Sequence, residues 1–255
     1  MNVAFKNIVD LSVAIEDTPS ERVPVSIRYV DHQEGAIEMC RIFGTSRADL
    51  PATGGWAGEE VRLISHAGTH VDAPWHYGPF SSDEPALKVD EVPLDWFIGP
   101  GVVLDVSHKQ DATGITPDDL QECLELAHAE LDEGTIVLLH TGASRYWGRT
   151  DYPEHGVGLT ADAVLWLCKR RVRVIGTDAF SLDVPFEVMK DQFAATRDPA
   201  IIWPAHFAGH KLPYCQIEKL TNLDKLPAQG FFVACFPVKI SRASAGWTRA
   251  VALVP

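Results

Sequence analysis

Residues 66–76 read HAGTHVDAPWH and place three histidines and one aspartate at positions 66, 70, 72 and 76. All four positions are even. On an extended chain alternate side chains share a face, so His66, His70, Asp72 and His76 are expected to converge on one side. A helix would also bring His66 and His70 together, but Gly68, Thr69, Val71 and Pro74 oppose one, and position 67 is Ala rather than the Glu of an H-E-x-x-H zinc helix. The segment is therefore read as an irregular strand, bent at Gly68 and ended by Pro74. Two neutral imidazoles and a carboxylate, His66, His70 and Asp72, make a divalent-metal triad, and three protein ligands leave open positions, as catalytic sites require. His76 is placed just outside as a proton carrier, since an unperturbed pKa near ~6.5 suits that task. A lone strand histidine is ordinary. Four such groups on one face without an ion would bury nitrogens that need partners.

The rest of the composition permits this chemistry and excludes others. Ten histidines stand beside 35 Asp and Glu in 255 residues, and the net charge is −13. Nucleic acid and anionic membrane surfaces call for a basic face, so neither is expected as a partner. Cys40, Cys123, Cys168, Cys215 and Cys235 are scattered and odd in number, which argues for buried thiols rather than disulfides or a Cys-rich zinc site. No apolar stretch nears the roughly 20 residues of a membrane span, and a soluble, cytoplasmic protein is expected.

The elements that must carry the motif read as short strands over 8–15, 61–73, 101–106, 135–140, 172–176, 231–236 and 247–254, each rich in β-branched or aromatic residues. One helix is expected from the Thr116 cap and Pro117 to a stop at Gly134, and a second from Thr160 through Arg171. Residues 31–60, with the Gly/Ala/Pro/Thr cluster LPATGGWAGEE, read as a long loop or flap. Strands and helices alternate only in the middle of the chain. The expectation is thus a single mixed α/β domain over residues 1–255, a mixed sheet with flanking helices, rather than a regular doubly wound fold.

HAGTHVDAPWH also resembles the H-x-G-T-H-x-D-x-P-x-H signature of the cyclase superfamily of metal-dependent hydrolases, which includes isatin hydrolases and bacterial kynurenine formamidases (arylformamidases). VDLSVAI is similar to that family's opening strand, GTDAFSLD to its G-x-D-x-x-S segment and RASAGWTRAVAL to its closing strand, in the family's order. The resemblance implies a swivelling β/β/α fold, with His66, His70 and Asp72 as metal ligands and His76 as the catalytic histidine. In two-metal members a later His and Glu, twelve positions apart, hold a second ion. His206 and Glu218 match that spacing, and Asp72 would then bridge. The implied cofactor is one or two divalent ions, zinc or manganese. The implied reaction is hydrolysis of an amide on a small aromatic substrate, with the ion acidifying a bound water toward ~7. The extra sequence in 31–60 and 143–158, and the segment LDWFIGPGVVLDVSHK, are more similar to the isatin-hydrolase branch, which opens a cyclic amide. Kynurenine formamidase or lactone hydrolase activity is the alternative. A metal-binding protein without catalysis is set against the intact His76, and a polyketide-type cyclase ranks last. The resemblance suggests a homodimer or larger assembly.

Other residues carry weaker expectations. His140 and Thr141, at a strand end, lie near the site or at a turn; Asp178 and Ser181 cap a turn; His32, His108, His128 and His155 are surface residues; His210 is a ligand, a substrate contact or, as favoured, an exposed residue. Trp75 points away from the ligands. Trp56, Trp96, Trp147 and Trp203 are candidates for an aromatic-lined pocket.

Overall fold

The computed structural model describes residues 5–50 and 54–255. Its centre is a nine-stranded mixed sheet. In chain order the strands are β1 (Asn7–Asp10), β2 (His70–Asp72), β3 (Ile98–Asp105), β4 (Ile136–His140), β5 (Val174–Thr177), β6 (Cys215–Glu218), β7 (Phe231–Ala234), β8 (Ala245–Trp247) and β9 (Val251–Val254). Across the sheet the order is β1-β9-β7-β3-β4-β5-β6-β2-β8. The four central strands β3, β4, β5 and β6 are parallel, and the strands on both flanks are antiparallel.

The central strands are apolar on both faces, as a buried parallel sheet requires. Along β4, Val137 and Leu139 enter one apolar cluster and Ile136 and Leu138 the other. Val102 and Leu104 of β3 join the first cluster and Val103 the second. The first cluster is covered by α3 (Pro117–Leu126), α4 (Ala161–Lys169) and α6 (Pro204–Ala208), which follow α1 (His32–Phe43) and α2 (Pro74–Tyr77) in the chain; α5 is Phe186–Thr196. The mixed α/β sheet with flanking helices is the expected class.

The termini of α3 and α4 follow local chemistry. Thr116 and Asp119 form a capping box, with Pro117 in the first turn, and Thr160 accepts from the Ala163 N–H at 3.2 Å. The α3 helix stops at Leu126 rather than at Gly134, because His128 takes φ +49° and the chain folds back to bury Ala129.

Residues 31–60 differ from the expected flap. Residues 51–53 lie outside the described part. The rest contains α1, whose Asp31 side chain accepts from the Gln33 and Glu34 N–H groups and whose Gly44 ends it at φ +61°. Strands Ser26–Val30 and Gly58–Arg62 close beneath it as an antiparallel hairpin. The helix was hidden because its apolar residues make no core stripe: Ile37, Ile42 and Phe43 are all exposed, and only Gly35 and Ala36 are buried. Gly35 is required where it stands, since a Cβ there would meet the Trp56 carbonyl oxygen at 1.9 Å. No helix among the described residues is long and apolar enough to cross a membrane.

Candidate active site

The expected strand over 61–73 is three pieces: the hairpin strand ending at Arg62, a turn through Gly68 at φ +60°, and β2, which is only His70–Asp72. Pro74 does end the ladder, but it does so by starting α2, and His76 reaches the site from that helical turn. The four side chains still converge. They do so by a turn, a strand and an i,i+4 helical step, so the even spacing was right for a different geometry.

Register brings the distant half of the site to the same face. β2 lies antiparallel to β6, with His70 opposite Glu218, Val71 opposite Ile217 and Asp72 opposite Gln216. Directly opposed residues share a face. Val71 and Ile217 fill the second apolar cluster. His70, Asp72, Gln216 and Glu218 therefore point together to the other side, beneath α2 and α6. From α6, His206 closes the group, its Nδ1 held by buried Asp183, which also accepts from the Ala205 N–H at 2.7 Å. The structure thus brings together all six sequence-predicted residues: His66, His70, Asp72, His76, His206 and Glu218.

His70 Nε2 lies 3.3 Å from Asp72 Oδ1 and 3.6 Å from Glu218 Oε2, the spacing of a ligand set, and His66 Nδ1 lies closer, 2.8 Å from Asp72 Oδ1. Donor atoms about 2.0–2.2 Å from one tetrahedral ion sit about 3.3–3.6 Å apart. The Nδ1–H of His70 donates to the Gly68 carbonyl at 2.9 Å, which turns the Nε2 lone pair of its neutral ring toward Asp72, while His66 Nε2 meets Ser244 Oγ at 3.1 Å. His70 Nε2 and Asp72 Oδ1 are buried without a hydrogen-bond partner. Buried polar atoms are almost always paired. Lone pairs facing a carboxylate at this range need a positive charge between them, and a divalent ion fits that need and the donor chemistry.

Burial works against charge on His70, but Asp72 and Glu218 beside it push its imidazole up. Burial pushes the Glu218 carboxyl up, and the neighbouring Asp72 charge adds to it. Burial works against charge on Asp72 as well, but His70 and His76 beside it hold its carboxyl well below the usual range. His76 is lowered to about 4, first by burial and then by His66, His206 and His70, against the pull of Asp72. It is therefore neutral at neutral pH, with its Nε2 3.9 Å from Asp72 Oδ2.

Above the cluster is a cavity of about 160 Å³, lined by Val23, Ile64, Phe180, Phe186 and Trp203, with Arg22 stacked over the two phenylalanine rings. Trp203 is the one tryptophan of the expected four that takes part. It stacks on His206, ring centroids 4.2 Å apart. Trp56 packs on Gly35, Trp96 on the second apolar cluster, and Trp147 on Tyr152. Trp75 points away, exposed beneath Lys88. His210 is exposed, with its Nε2 2.6 Å from the Tyr77 carbonyl. His140 pairs with Asp105 at 3.3 Å. Asp178 caps the turn after β4, accepting from Thr141 N and Oγ1, Gly142 N and Ser144 Oγ at 2.7–3.1 Å.

Several neighbours escaped the sequence reading. Lys219 and Glu21 form a buried ion pair at 2.7 Å, 3% and 4% exposed. Lys219 Nζ also reaches the His66 carbonyl at 2.9 Å, and Glu21 accepts from the Gly68 N–H at 2.7 Å, so the pair fixes the turn that carries His66. A buried charge looks like a surface charge in a sequence, and nothing flagged either residue. Asp183 had a faint signal, two residues past Ser181 in GTDAFSLD. Gln216 had one too, alternating with Glu218 in CQIE.

The family model named Cyclase matches residues 9–184. The chain is 31% identical over 209 residues to the isatin hydrolase of Roseibium aggregatum, covering 76% of this chain and 73% of that protein. It is 29% identical over 227 residues to the kynurenine formamidase of Salinibacter ruber, covering 81% and 94%. Its fold superposes on isatin hydrolase A of Ralstonia solanacearum with a TM-score of 0.77 at 26% identity, covering 98% of this chain and 92% of that one. With the family model spanning more than half its length, and with the motif, the sheet and the relatives in agreement, the chain belongs to the cyclase family.

Proposed function

We propose that the chain is a metal-dependent hydrolase that cleaves the amide bond of a small aromatic substrate, and that the substrate is a cyclic amide opened as isatin is. The observation that supports a metal enzyme is the buried His70 Nε2, partnerless and aimed at Asp72 Oδ1 and Glu218 Oε2. His66, His70 and Asp72, with Glu218 beside them, would hold zinc or manganese. A divalent ion bound there supplies electrophilic polarisation of the scissile carbonyl and a water acidic enough to attack near neutral pH.

The protein's own groups do the rest. His76 is neutral and stands beside Asp72, so it takes the proton released on attack and returns it to the departing nitrogen. Phe180, Phe186 and Trp203 give a flat aromatic ring apolar faces to lie against. A space of about 160 Å³ is well below the roughly 300–1,000 Å³ of drug-sized pockets, which suits a compact fused ring better than a long side chain. The cyclic amide is preferred to N-formylkynurenine on that ground.

Metal analysis of the purified protein, followed by a hydrolysis screen against isatin, N-formylkynurenine and simple aryl lactones, tests this. Metal-dependent ring opening of isatin is expected. Turnover of N-formylkynurenine alone would make the chain a formamidase, turnover of lactones alone a lactonase, and full activity after chelation would remove the metal reading.

A further inference from the structure

The second His/Glu pair implied by the resemblance lines the cavity, but Gln216 stands between it and Asp72. Gln216 is fully buried, and its side-chain nitrogen Nε2 lies 3.0 Å from Asp72 Oδ2, 2.6 Å from His206 Nε2 and 3.0 Å from Glu218 Oε1. These are the atoms a second, Asp72-bridged ion would need. We propose that the Gln216 side-chain amide takes the place of that second cation, so that this chain carries one ion per site. The proposal rests on the metal reading above and concerns only the number of ions.

The orientation of the amide follows from its surroundings. His206 Nδ1 is engaged by Asp183, so in the neutral ring the His206 Nδ1–H donates there and Nε2 offers a lone pair. A group facing a lone pair and two carboxylate oxygens must be a donor, and an amide nitrogen brings two N–H bonds. The amide oxygen is on the opposite side, 3.2 Å from the Tyr214 hydroxyl, which can donate to it. Tyr214 is itself buried and stacked on Tyr77, ring centroids 4.9 Å apart, so the amide has a firm backing. A nitrogen carrying two hydrogens has no lone pair free to ligate a metal. It stands against the same three atoms that a cation would meet and shares its two N–H bonds among them. Register fixes it there, because Gln216 is paired across the sheet with Asp72.

Glu218 is consequently divided. Its Oε1 accepts from the Gln216 amide, while its Oε2 faces His70 and the remaining ion site. His206 then belongs to a hydrogen-bonded chain from Asp183 to Gln216 to Asp72, and not to a metal.

The test is metal stoichiometry, read by elemental analysis after dialysis against manganese or zinc and by calorimetric titration. One ion per chain is expected for the native protein. Gln216→Glu replaces the donor by a carboxylate oxygen of nearly the same shape, and a rise to two ions is expected. His206→Ala should leave one ion bound, whereas His70→Ala should leave none. Two ions in the native protein, or loss of the single ion in His206→Ala, overturns the proposal. A native protein with no ion at all is a failure of the metal reading itself. If Gln216→Glu does not fold, the native count and His206→Ala still decide.

Discussion

The site divides at the residue scale into groups that hold charge and a group that moves a proton. His70→Ala removes the donor that faces both carboxylates, so bound metal and activity are expected to vanish together; full metal content in that variant would sink its assignment. His76→Ala should keep the metal and lose roughly 10²–10⁴-fold in rate, the usual worth of general acid–base help. Because His76 is lowered to about 4, its neutral form persists well below the ordinary histidine range. The rate of the metal-loaded enzyme should therefore show no loss from His76 as pH falls through ~6.5, and a drop there that disappears in His76→Gln would contradict the assignment. The same shift has a stability sign. The unfolded chain takes a proton on this ring below ~6.5 and the folded one only near 4, so its contribution is constant above the first value and is lost as pH falls between them. The four motif residues were legible because they are close in sequence and of types that rarely cluster without cause. Gln216, Asp183, Glu21 and Lys219 were not, since each acts through a fold-dependent neighbour, and neither their residue type nor their spacing predicts which group they will face.

Single elements decide whether those residues meet. β2 is three residues long and contributes His70 and Asp72 to one face only because it is held between β6 and β8. β3, β4 and β5 could be read from their β-branched runs and β2 fell within the strand expected over 61–73, while β6 and most of β8 could not be read, being short and mixed in polarity. Their strand character comes from their neighbours rather than from propensity. α1 was missed for the opposite reason: its capping signals are strong, but its apolar residues face outward. Asp178 shows how an element end is secured. Its buried carboxylate accepts from four groups of the turn after β4. Asp178→Ala would leave those donors unpaired and should cost about 3 kcal/mol in urea unfolding, with metal content unchanged. A loss below about 0.5 kcal/mol, the usual range of surface substitutions, would show the turn to be held by other contacts.

Across the whole molecule, the candidate ligands come from both ends of the chain: His66, His70 and Asp72 from the first third, and Glu218 from the last fifth. An ion gripping both sides binds only the folded chain. At a hundred times its dissociation constant, such an ion adds about 2.7 kcal/mol. For a chain of this size that corresponds to a rise in Tm of about 5–10 °C. A thermal melt with and without chelator checks it, and coincident melts would mean the ion does not link the two segments. The overall class, a mixed sheet with flanking helices, was legible from the alternation of strand and helix signals in the middle of the chain. The order of the outer strands was not, because it depends on pairings between segments more than a hundred residues apart.

Those pairings also set a schedule. β2 carries half of the motif and is made early, but both of its partners, β6 and β8, are made in the last fifth of the chain. On the ribosome, His70 and Asp72 must wait unpaired while some 150 further residues are added, a count taken from Asp72 to Glu218 and beyond. Long-range pairing of this kind is slow and cannot be nucleated locally. Enzyme maturation, the moment at which the chain can first grip its ion, therefore falls at the end of synthesis, and a chain stopped short of Trp247 holds the whole signature yet has no complete sheet to mount it on.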